Sequence, residues 1–296
     1  MPFKIVGIGE LLWDVLPQGK QLGGAPTNFA FHACQVGLDS YVVSRIGDDM
    51  DGEEICQVLD QLELNRSFVQ TTSRFPTGAV TVKLDQEGIP EYTIHENVAW
   101  DHIVWGKNLE ILAGDIHAVC FGSLAQRNQI SKDTIWKFLE ATGKECLRIF
   151  DINLRQSFYT RETIIRSLEY ANILKLNEDE LPVVGAYLGF EGKDEDLLDQ
   201  ILDKFQLQLI AYTKGGLGSL LITRHEKSFC EVPVIEVVDT VGAGDSFTAI
   251  LVAGELNGLP LKKTHKAATE IAAYVCSQHG ATPKLSEKLI NQIKIQ

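Results

Sequence analysis

The sequence predicts an α/β fold with a mostly parallel central sheet and helices on both faces. Short apolar, β-branched runs alternate with longer segments of helical period, which is the pattern of successive βαβ units. The runs that predict strands are 4–7, 41–46, 117–121, 147–150, 173–176, 209–213 and 218–223. The stretches that predict helices are 27–36, 52–62, 132–141, 161–171, 195–205, 246–256 and 261–277. No internal repeat or low-complexity linker interrupts this order, so we expect one domain over residues 1–296.

One region departs from the alternation of strands and helices. Residues 78–84 and 91–95 read as two strands, and the segment between them, DQEGIP at 85–90, has turn chemistry. An antiparallel hairpin has no place inside a parallel sheet, so we expect it to project from an edge and to serve as a lid over a site. We expect residues 11–22 to join it, which gives a lid of about 11–22 and 77–97.

The composition excludes several classes of protein. A formal net charge of -13, with no basic run, disfavours a nucleic-acid partner, because phosphate backbones are held by clustered Lys and Arg. No run reaches the roughly 18 apolar residues of a membrane span, and the apolar N-terminus reads as a strand and not as a signal peptide. The six cysteines form no C-x-x-C pair. We therefore expect a cytoplasmic protein that acts on small molecules and binds neither membrane nor nucleic acid.

Residues 239–245, DTVGAGD, form a small-residue turn that leads into an apolar helix. Gly242 and Gly244 have no Cβ, so their backbone can approach a ligand closely and direct successive N–H groups at one anion. The positive end of the helix dipole lies at the same place. A carboxylate there, Asp245, should stay ionised at neutral pH and could accept a proton from a hydroxyl. For this short motif alone, a tight turn with a helix cap is an equally good interpretation.

The longer run DTVGAGDSFTA resembles the C-terminal signature of the ribokinase-like, or PfkB, carbohydrate kinases. Further segments are similar to the family in the family's order: GELLWD at 9–14, GGAPTNFA at 23–30, FDINLR at 150–155, LKLNEDE at 174–180 and YTKGGLG at 212–218. The resemblance implies a ribokinase-like three-layer α/β/α domain with a small β lid. It also implies ATP-dependent phosphoryl transfer to a sugar hydroxyl, with Asp245 as the base beside Gly242, Ala243 and Gly244.

The resemblance implies four residues on the sugar side of this site. Asp14 would accept hydrogen bonds from two neighbouring hydroxyls, and the Asn28 amide can both donate to and accept from a sugar. Gly24 belongs to the glycine turn that meets the sugar, and Arg155 would offset the charge of the transferred phosphoryl group. A solvated surface role for Asp14 and a simple helix start at 24–28 remain alternative interpretations. In FDINLR, Ile152 replaces the usual proline of the family.

The resemblance also implies the nucleotide and metal residues. Asn177 and Glu180 would hold Mg2+ through its waters, since Mg2+ prefers oxygen ligands and keeps several waters. Thr213, Gly215 and Gly218, together with Asn177, Gly242 and Gly244, would contact ATP. Asp239 is the implied carboxylate for K+, although Lys284 stands where some members supply an oxygen ligand.

Within the family the segments at 9–14, 23–30 and 150–155 are closest to fructokinases, so we expect fructose as the acceptor and fructose 6-phosphate as the product. A ribokinase or a 2-keto-3-deoxygluconate kinase is the alternative among enzymes, because the lid sequence YTIHEN at 92–97 lacks an expected arginine. A non-catalytic relative that only binds sugar or nucleotide is a further alternative. The sequence contains no P-loop, protein-kinase, dinucleotide or nucleophile-elbow motif. The family also makes a homodimer through the lid plausible.

Overall fold

The structure, a computed structural model, describes residues 2–16, 19–84 and 90–293. Its larger sheet has nine strands in the order β13-β12-β11-β10-β9-β8-β1-β4-β5. The strands are β1 Lys4–Ile8, β4 Asp39–Gly47, β5 Asn65–Thr72, β8 Ala118–Phe121, β9 Leu147–Asp151, β10 Ile173–Asn177, β11 Leu209–Thr213, β12 Ser219–Ile222 and β13 Lys227–Cys230. All neighbouring pairs from β5 to β11 are parallel, and β12 and β13 add to the edge antiparallel.

Helices cover both faces of this sheet because the central strands are buried on both sides. The helices are α1 Ala25–Gln35, α2 Met50–Gln61, α3 Lys107–Asp115, α4 Gln129–Glu140, α5 Arg161–Tyr170, α6 Glu180–Leu188, α7 Asp194–Lys204, α8 Ala243–Leu256, α9 Leu261–Cys276 and α10 Glu287–Ile290. One core lies between the sheet and α3 to α7, and a second lies between the opposite face and α1, α8 and α9. The predicted three-layer α/β/α fold is therefore confirmed.

A second sheet of four strands has the order β3-β2-β6-β7. These strands are β2 Leu12–Leu16, β3 Gly19–Gly23, β6 Gly78–Leu84 and β7 Pro90–Ile94. β6 and β7 pair antiparallel, as the hairpin pattern predicts, and β2 pairs antiparallel with β3 and parallel with β6. Of the predicted turn at 85–90, residues 85–89 lie outside the described residues.

The sequence pattern missed the strands at the two ends of the large sheet. β5, NRSFVQTT, and β13, KSFC, carry polar residues among their apolar ones and are more exposed than the central strands. An edge strand needs less apolar surface than a central one, so its sequence gives a weaker strand signal. Helices α3, α6 and α10 were also not predicted; α6 contains Pro182 near its start, and α10 has only four residues. No helix among the described residues is long and apolar enough to cross a membrane.

Asp49 connects the start of α2 to the start of the small sheet. Its Oδ1 accepts from the Gly52 N–H at 2.8 Å, which caps α2, and from the Thr77 hydroxyl at 2.6 Å. Its Oδ2 accepts from the Thr77 N–H at 2.8 Å, one residue before β6 begins. A single carboxylate thus holds the chain where it passes from the large sheet to the small one.

Replacing Asp49 with alanine should lower the free energy of unfolding by about 1–3 kcal/mol, because a helix cap and two further hydrogen bonds are lost together. The matched control is Asp48→Ala, at an exposed neighbour that contributes a backbone hydrogen bond to Thr72. We expect the control to change stability by less than about 0.5 kcal/mol. Urea unfolding of both variants is the measurement, and equal losses would contradict the role given to Asp49.

Candidate active site

Helix α8 begins at a partly buried turn and enters the core at Asp245. Gly242 precedes it in a left-handed conformation with φ 78°, and its carbonyl accepts from the Ser246 N–H at 2.8 Å. The helix is buried from Asp245 to Gly254, and α1 and α9 pack against it. The first-turn N–H groups of Gly244 and Asp245 have no acceptor within the helix, so they are available to an anion.

Gly242 also packs against the loop that follows α9. A Cβ at Gly242 would lie 2.6 Å from the Ala281 carbonyl oxygen, closer than van der Waals contact permits. That carbonyl is held in place by the buried His32, whose Nε2 lies 2.8 Å away. Glycine is therefore required here both by its positive φ and by the neighbouring backbone.

Asp245 is 8% exposed, and its Oδ2 accepts from the Asn28 Nδ2 at 2.8 Å. Burial raises its pKa to about 6, with a further increase from the negative charge of Asp151. Asn28, Lys175 and Arg155 act in the opposite direction. The sequence predicted an ionised carboxylate because of the helix dipole, but in the structure desolvation is the larger effect. Asp245 is still mostly ionised at neutral pH, and its pKa lies near the value that suits a general base.

Asp14 approaches the same region from β2 of the small sheet. Its carboxylate packs against Gly23, where a Cβ would lie 2.3 Å from its Oδ2. Burial raises the pKa of Asp14 to about 6, Arg155 lowers it, and Asp239 raises it. Asp14 is thus half-buried and faces both the loop after β9 and the turn before α8, which does not fit a solvated surface residue.

Glu10 follows β1 and is 4% exposed. Burial raises its pKa to about 7, although its own backbone N–H and the charge of Arg155 act against that rise. Its Oε2 has no hydrogen-bond partner in the described part of the chain. The sequence analysis gave this residue no role; a charged residue directly after a buried strand was the signal that could have found it.

Gly24 lies between these groups, at the start of α1. Its φ is 112°, and its carbonyl accepts from the N–H groups of Thr27 and Asn28 at 3.0 Å. A Cβ there would lie 2.3 Å from the Glu10 carbonyl oxygen. Gly24 therefore fixes the direction of α1, which brings Asn28 to Asp245.

Arg155 lies in the loop after β9 and is exposed. The loop is shaped by Asn153, which has a φ of 48° and accepts from Arg155 Nη2 at 3.3 Å. The Leu154 N–H donates to Glu180 Oε1 at 3.0 Å, which joins this loop to the end of β10. The Arg155 charge acts on Glu10, Asp14 and Asp245, so the loop belongs to the same site.

Asn177 and Glu180 lie together at the carboxyl end of β10. Asn177 Oδ1 accepts from the N–H groups of Asp179 and Glu180 at 3.0 and 2.9 Å, so both of its lone pairs are used. Glu180 is 3% exposed, and its Oε2 accepts from the Asn177 N–H at 2.9 Å. Each Glu180 oxygen keeps one lone pair, which can accept a hydrogen bond from a water bound to Mg2+. The described residues contain no cluster of three or more metal-ligating side chains.

The remaining residues predicted for ATP continue from this point toward the edge of the sheet. Thr213 ends β11 directly beside Asn177, and its hydroxyl lies 3.5 Å from the Leu176 carbonyl oxygen. Gly215 has a φ of 48° and lies exposed near Glu178. Gly218 is buried, with a φ of 113°, and a Cβ there would lie 2.6 Å from the Cys230 carbonyl oxygen. Packing against β13 therefore explains why this position is a glycine.

Asp239 holds the turn before α8. Its Oδ1 accepts from the Val241 N–H at 3.0 Å, and its Oδ2 accepts from the Gly280 N–H at 3.1 Å. The carboxylate thus ties the turn that contains Gly242 to the loop that contains Ala281.

Two more polar groups near Asp245 had no assigned role in the sequence analysis. Lys175, in the centre of β10, is 4% exposed and lies 3.0 Å from Asp151 Oδ1. Thr248, on the second turn of α8, donates to Asp151 Oδ2 at 2.9 Å. A lysine inside the apolar run ILKLN was a signal for such a site, since lysine is almost never fully buried without a partner.

The chain is similar to known proteins in both sequence and fold. The sequence model of the pfkB family carbohydrate kinases matches residues 10–288. A fructokinase of Klebsiella pneumoniae is 29% identical over 95% of this chain and 94% of its own. An uncharacterized sugar kinase of Pyrococcus horikoshii, solved in complex with ATP, superposes with a TM-score of 0.83 at 26% identity over 98% of this chain and 100% of its own. A fructokinase of Xylella fastidiosa with bound ATP has a TM-score of 0.85 at 19% identity over 98% of both chains.

Replacing Gly242 with alanine should destabilise the protein more than the same change at Gly258. Both positions have positive φ, 78° and 63°, so both variants carry the backbone strain of a non-glycine residue. A Cβ at Gly258 meets nothing within 4 Å, whereas one at Gly242 meets Ala281. We expect the Gly242→Ala variant to lose at least about 1 kcal/mol more in urea unfolding. Equal losses would show that the contact with Ala281 is not a constraint.

Proposed function

The chain belongs to the pfkB family carbohydrate kinases and is an ATP-dependent sugar kinase, and from that premise we propose that it phosphorylates fructose to fructose 6-phosphate with Asp245 as the general base. The observation that carries the role of Asp245 is its position: a buried carboxylate, held by Asn28, in the first turn of a helix whose first N–H groups have no acceptor within the helix. A carboxylate that only capped the helix would not need a partner from α1.

We propose that Asp14 and Asn28 bind hydroxyls of the sugar and place one hydroxyl against Asp245. Asp245 takes the proton of that hydroxyl while its oxygen forms a bond to the γ-phosphorus. The bond from the γ-phosphorus to the bridging oxygen breaks on the opposite side, and ADP leaves with that electron pair. Asp245 then releases its proton to solvent.

Three features would offset the negative charge of the transferred phosphoryl group. We propose that the backbone N–H groups from Gly242 to Asp245, through Ala243 and Gly244, bind the phosphoryl oxygens together with the Arg155 guanidinium. Mg2+, held through waters by Glu180 beside Asn177, would neutralise phosphate charge when it is bound with the nucleotide. Thr213, Gly215 and Gly218 would support the rest of ATP, and Asp239 is the carboxylate that we propose for a bound K+.

The choice of acceptor rests on relatives and on charge. Two bacterial fructokinases are 27% and 29% identical to this chain, further fructokinases are 24–26% identical, and a 6-phosphofructokinase is 25% identical. The sugar side carries Asp14, Glu10 and Asp245, and the cation that acts on all three is Arg155. A phosphorylated or acidic sugar would add negative charge beside carboxylates whose pKa values are already raised by burial. An uncharged ketose instead donates hydroxyl hydrogen bonds to them.

The small sheet, with its predicted extent of about 11–22 and 77–97, is proposed to act as a lid within one kinase domain. Its strand β7 reaches the site loop, because Gln156 Nε2 donates to the Tyr92 carbonyl at 2.7 Å. The exposed Tyr92 side chain is consistent with a homodimer formed through this sheet, and we propose a cytoplasmic location, where sugar and ATP are both available.

Replacing Asp245 with asparagine should lower kcat by about 10²–10⁴ and leave sugar binding nearly intact, because the shape remains while the base is lost. Steady-state ADP release and calorimetric titration with fructose are the two measurements. The matched control is Asp203→Asn, at an exposed position on α7, which should keep native kcat. Turnover of the Asp245 variant within a few-fold of native would contradict its role as base.

In a panel of acceptors at fixed ATP and Mg2+, fructose should give the highest kcat/KM. Fructose 6-phosphate and 2-keto-3-deoxygluconate should be poor because of their charge, and ribose tests the remaining alternative. Asp14→Asn should raise KM for fructose more than it lowers kcat, since Asp14 is assigned to binding. A higher kcat/KM with another sugar would replace our assignment, and no turnover with any of them would favour a non-catalytic binding protein.

A further inference from the structure

Lys175 is a cation enclosed in the protein core, and the mechanism above does not use it. Along β10 the side chains alternate between faces, and Ile173 lies in the core under α8 while Leu174 and Leu176 lie in the opposite core. Lys175 therefore points to the α8 side. Its direct neighbour in the sheet is Asp151 of β9, which by the same alternation, after Ile149, points to that side as well.

The Lys175 ammonium lies directly beneath the first turn of α8. A Cβ at Gly244 would lie 2.9 Å from Lys175 Nζ, so the glycine leaves the space that the ammonium occupies. The ammonium is 3.0 Å from Asp151 Oδ1, and Asp151 Oδ2 accepts from Thr248 at 2.9 Å. The same hydroxyl oxygen lies 3.0 Å from the Gly244 carbonyl oxygen. Strands β9 and β10 are thus joined to the turn of α8 that carries Asp245.

Burial of a lone cation is costly, so this one needs nearby negative charge. The charges of Asp151, Glu180 and Asp245 all act on Lys175, and together they outweigh its desolvation. The ammonium therefore remains charged, and its position depends on all three carboxylates. Because the pair is shielded from water, its effect on Asp245 is not screened as a surface charge would be.

We propose that Lys175, held by Asp151, is a positioning residue that keeps the Asp245 carboxylate in its ionised, proton-accepting form and fixes the first turn of α8. The inference rests on the proposed role of Asp245 as base. Lys175 and Asp151 have opposite effects on the ionisation of Asp245: the positive Lys175 favours the ionised carboxylate, and the negative Asp151 disfavours it.

Other groups also change the pKa of Asp245, so the experiment must separate the effects of Lys175 and Asp151 from the effects of these groups. The groups that face it are the Asn28 amide from α1, Glu10 after β1, Cys120 from β8, Asp151 from β9, Arg155 from the loop after β9, and Lys175 from β10. Replacing Lys175 with methionine keeps the length of the side chain and removes its charge. Replacing Asp151 with asparagine keeps the shape and removes the opposite charge.

The experiment is a 13C NMR titration of protein labelled at the aspartate γ-carbons, with Asp245→Asn used to assign the Asp245 signal. In the native protein we expect Asp245 to titrate at about 6. Lys175→Met should move this pKa up by about 1 unit, and Asp151→Asn should move it down by about 0.5–1 unit. Lys175→Arg should stay closer to native than Lys175→Met. Shifts of the two variants in the same direction, or no shift, would overturn the inference.

Because Lys175→Met leaves Asp151 buried and unpaired, the variant could lose stability. The double variant K175M/D151N contains no unpaired charge at these two positions, and its Asp245 pKa should lie about 1 unit above that of Asp151→Asn alone. An equal pKa in these two proteins would also overturn the inference. The difference between them measures the contribution of Lys175 without relying on the single methionine variant.

The acid limb of kcat/KM against pH then tests the two proposals separately. A base must be deprotonated, so activity should fall as the pH drops through the pKa of Asp245, and the limb should move with the NMR value in every variant. If the NMR shifts occur and the kinetic limb does not follow them, the role of Asp245 as base fails while the effect of Lys175 on it stands. If the NMR shifts are absent, the inference about Lys175 fails whatever the kinetics show.

Discussion

The burial of one carboxylate, Asp245, in the first turn of α8 is the constraint on which the rest of the site depends. A helix N-terminus favours a negative charge, but the surrounding protein removes the water that would stabilise it. Asn28 and Lys175 supply part of what water would have supplied, and Asp151 opposes them. The outcome is a pKa of about 6, which leaves a carboxylate that is ionised at neutral pH and still basic enough to accept a proton.

The same constraint explains why α8 is so apolar. The residues from Phe247 to Ala253 are buried between the large sheet, α1 and α9. The first turn of α8 therefore cannot move without disturbing the core. Gly242 and Gly244 make this close packing possible, because the first lies against Ala281 and the second against Lys175. The glycines therefore serve the packing of the protein as well as any ligand, and only Gly215 lies open at the surface of the predicted ATP side.

The small sheet contributes Asp14 to the proposed sugar side of the site. Asp14 reaches the sugar side from β2 because Gly23, its neighbour across the β2–β3 pair, leaves room for the carboxylate. Further along this sheet, His95 after β7 accepts a hydrogen bond from Arg127, whose charge is paired with Asp101 and stacked on Trp100. The small sheet is thus fixed near the end of β7 by Arg127, while β2 carries Asp14 on the other side of the pair β2–β6.

The central strands and most of the helices could be predicted from the amino-acid sequence, because strand and helix periods are local properties of the chain. It did not reveal the polar edge strands β5 and β13, where less apolar surface is needed. The tertiary structure was needed to show that Lys175 lies under Gly244. It was also needed to show that Glu10 is buried and that its Oε2 has no hydrogen-bond partner among the described residues. The pKa of Asp245 could not be predicted from the sequence either, because desolvation and the charges of Asp151, Lys175 and Arg155, all 70 or more positions away, set it.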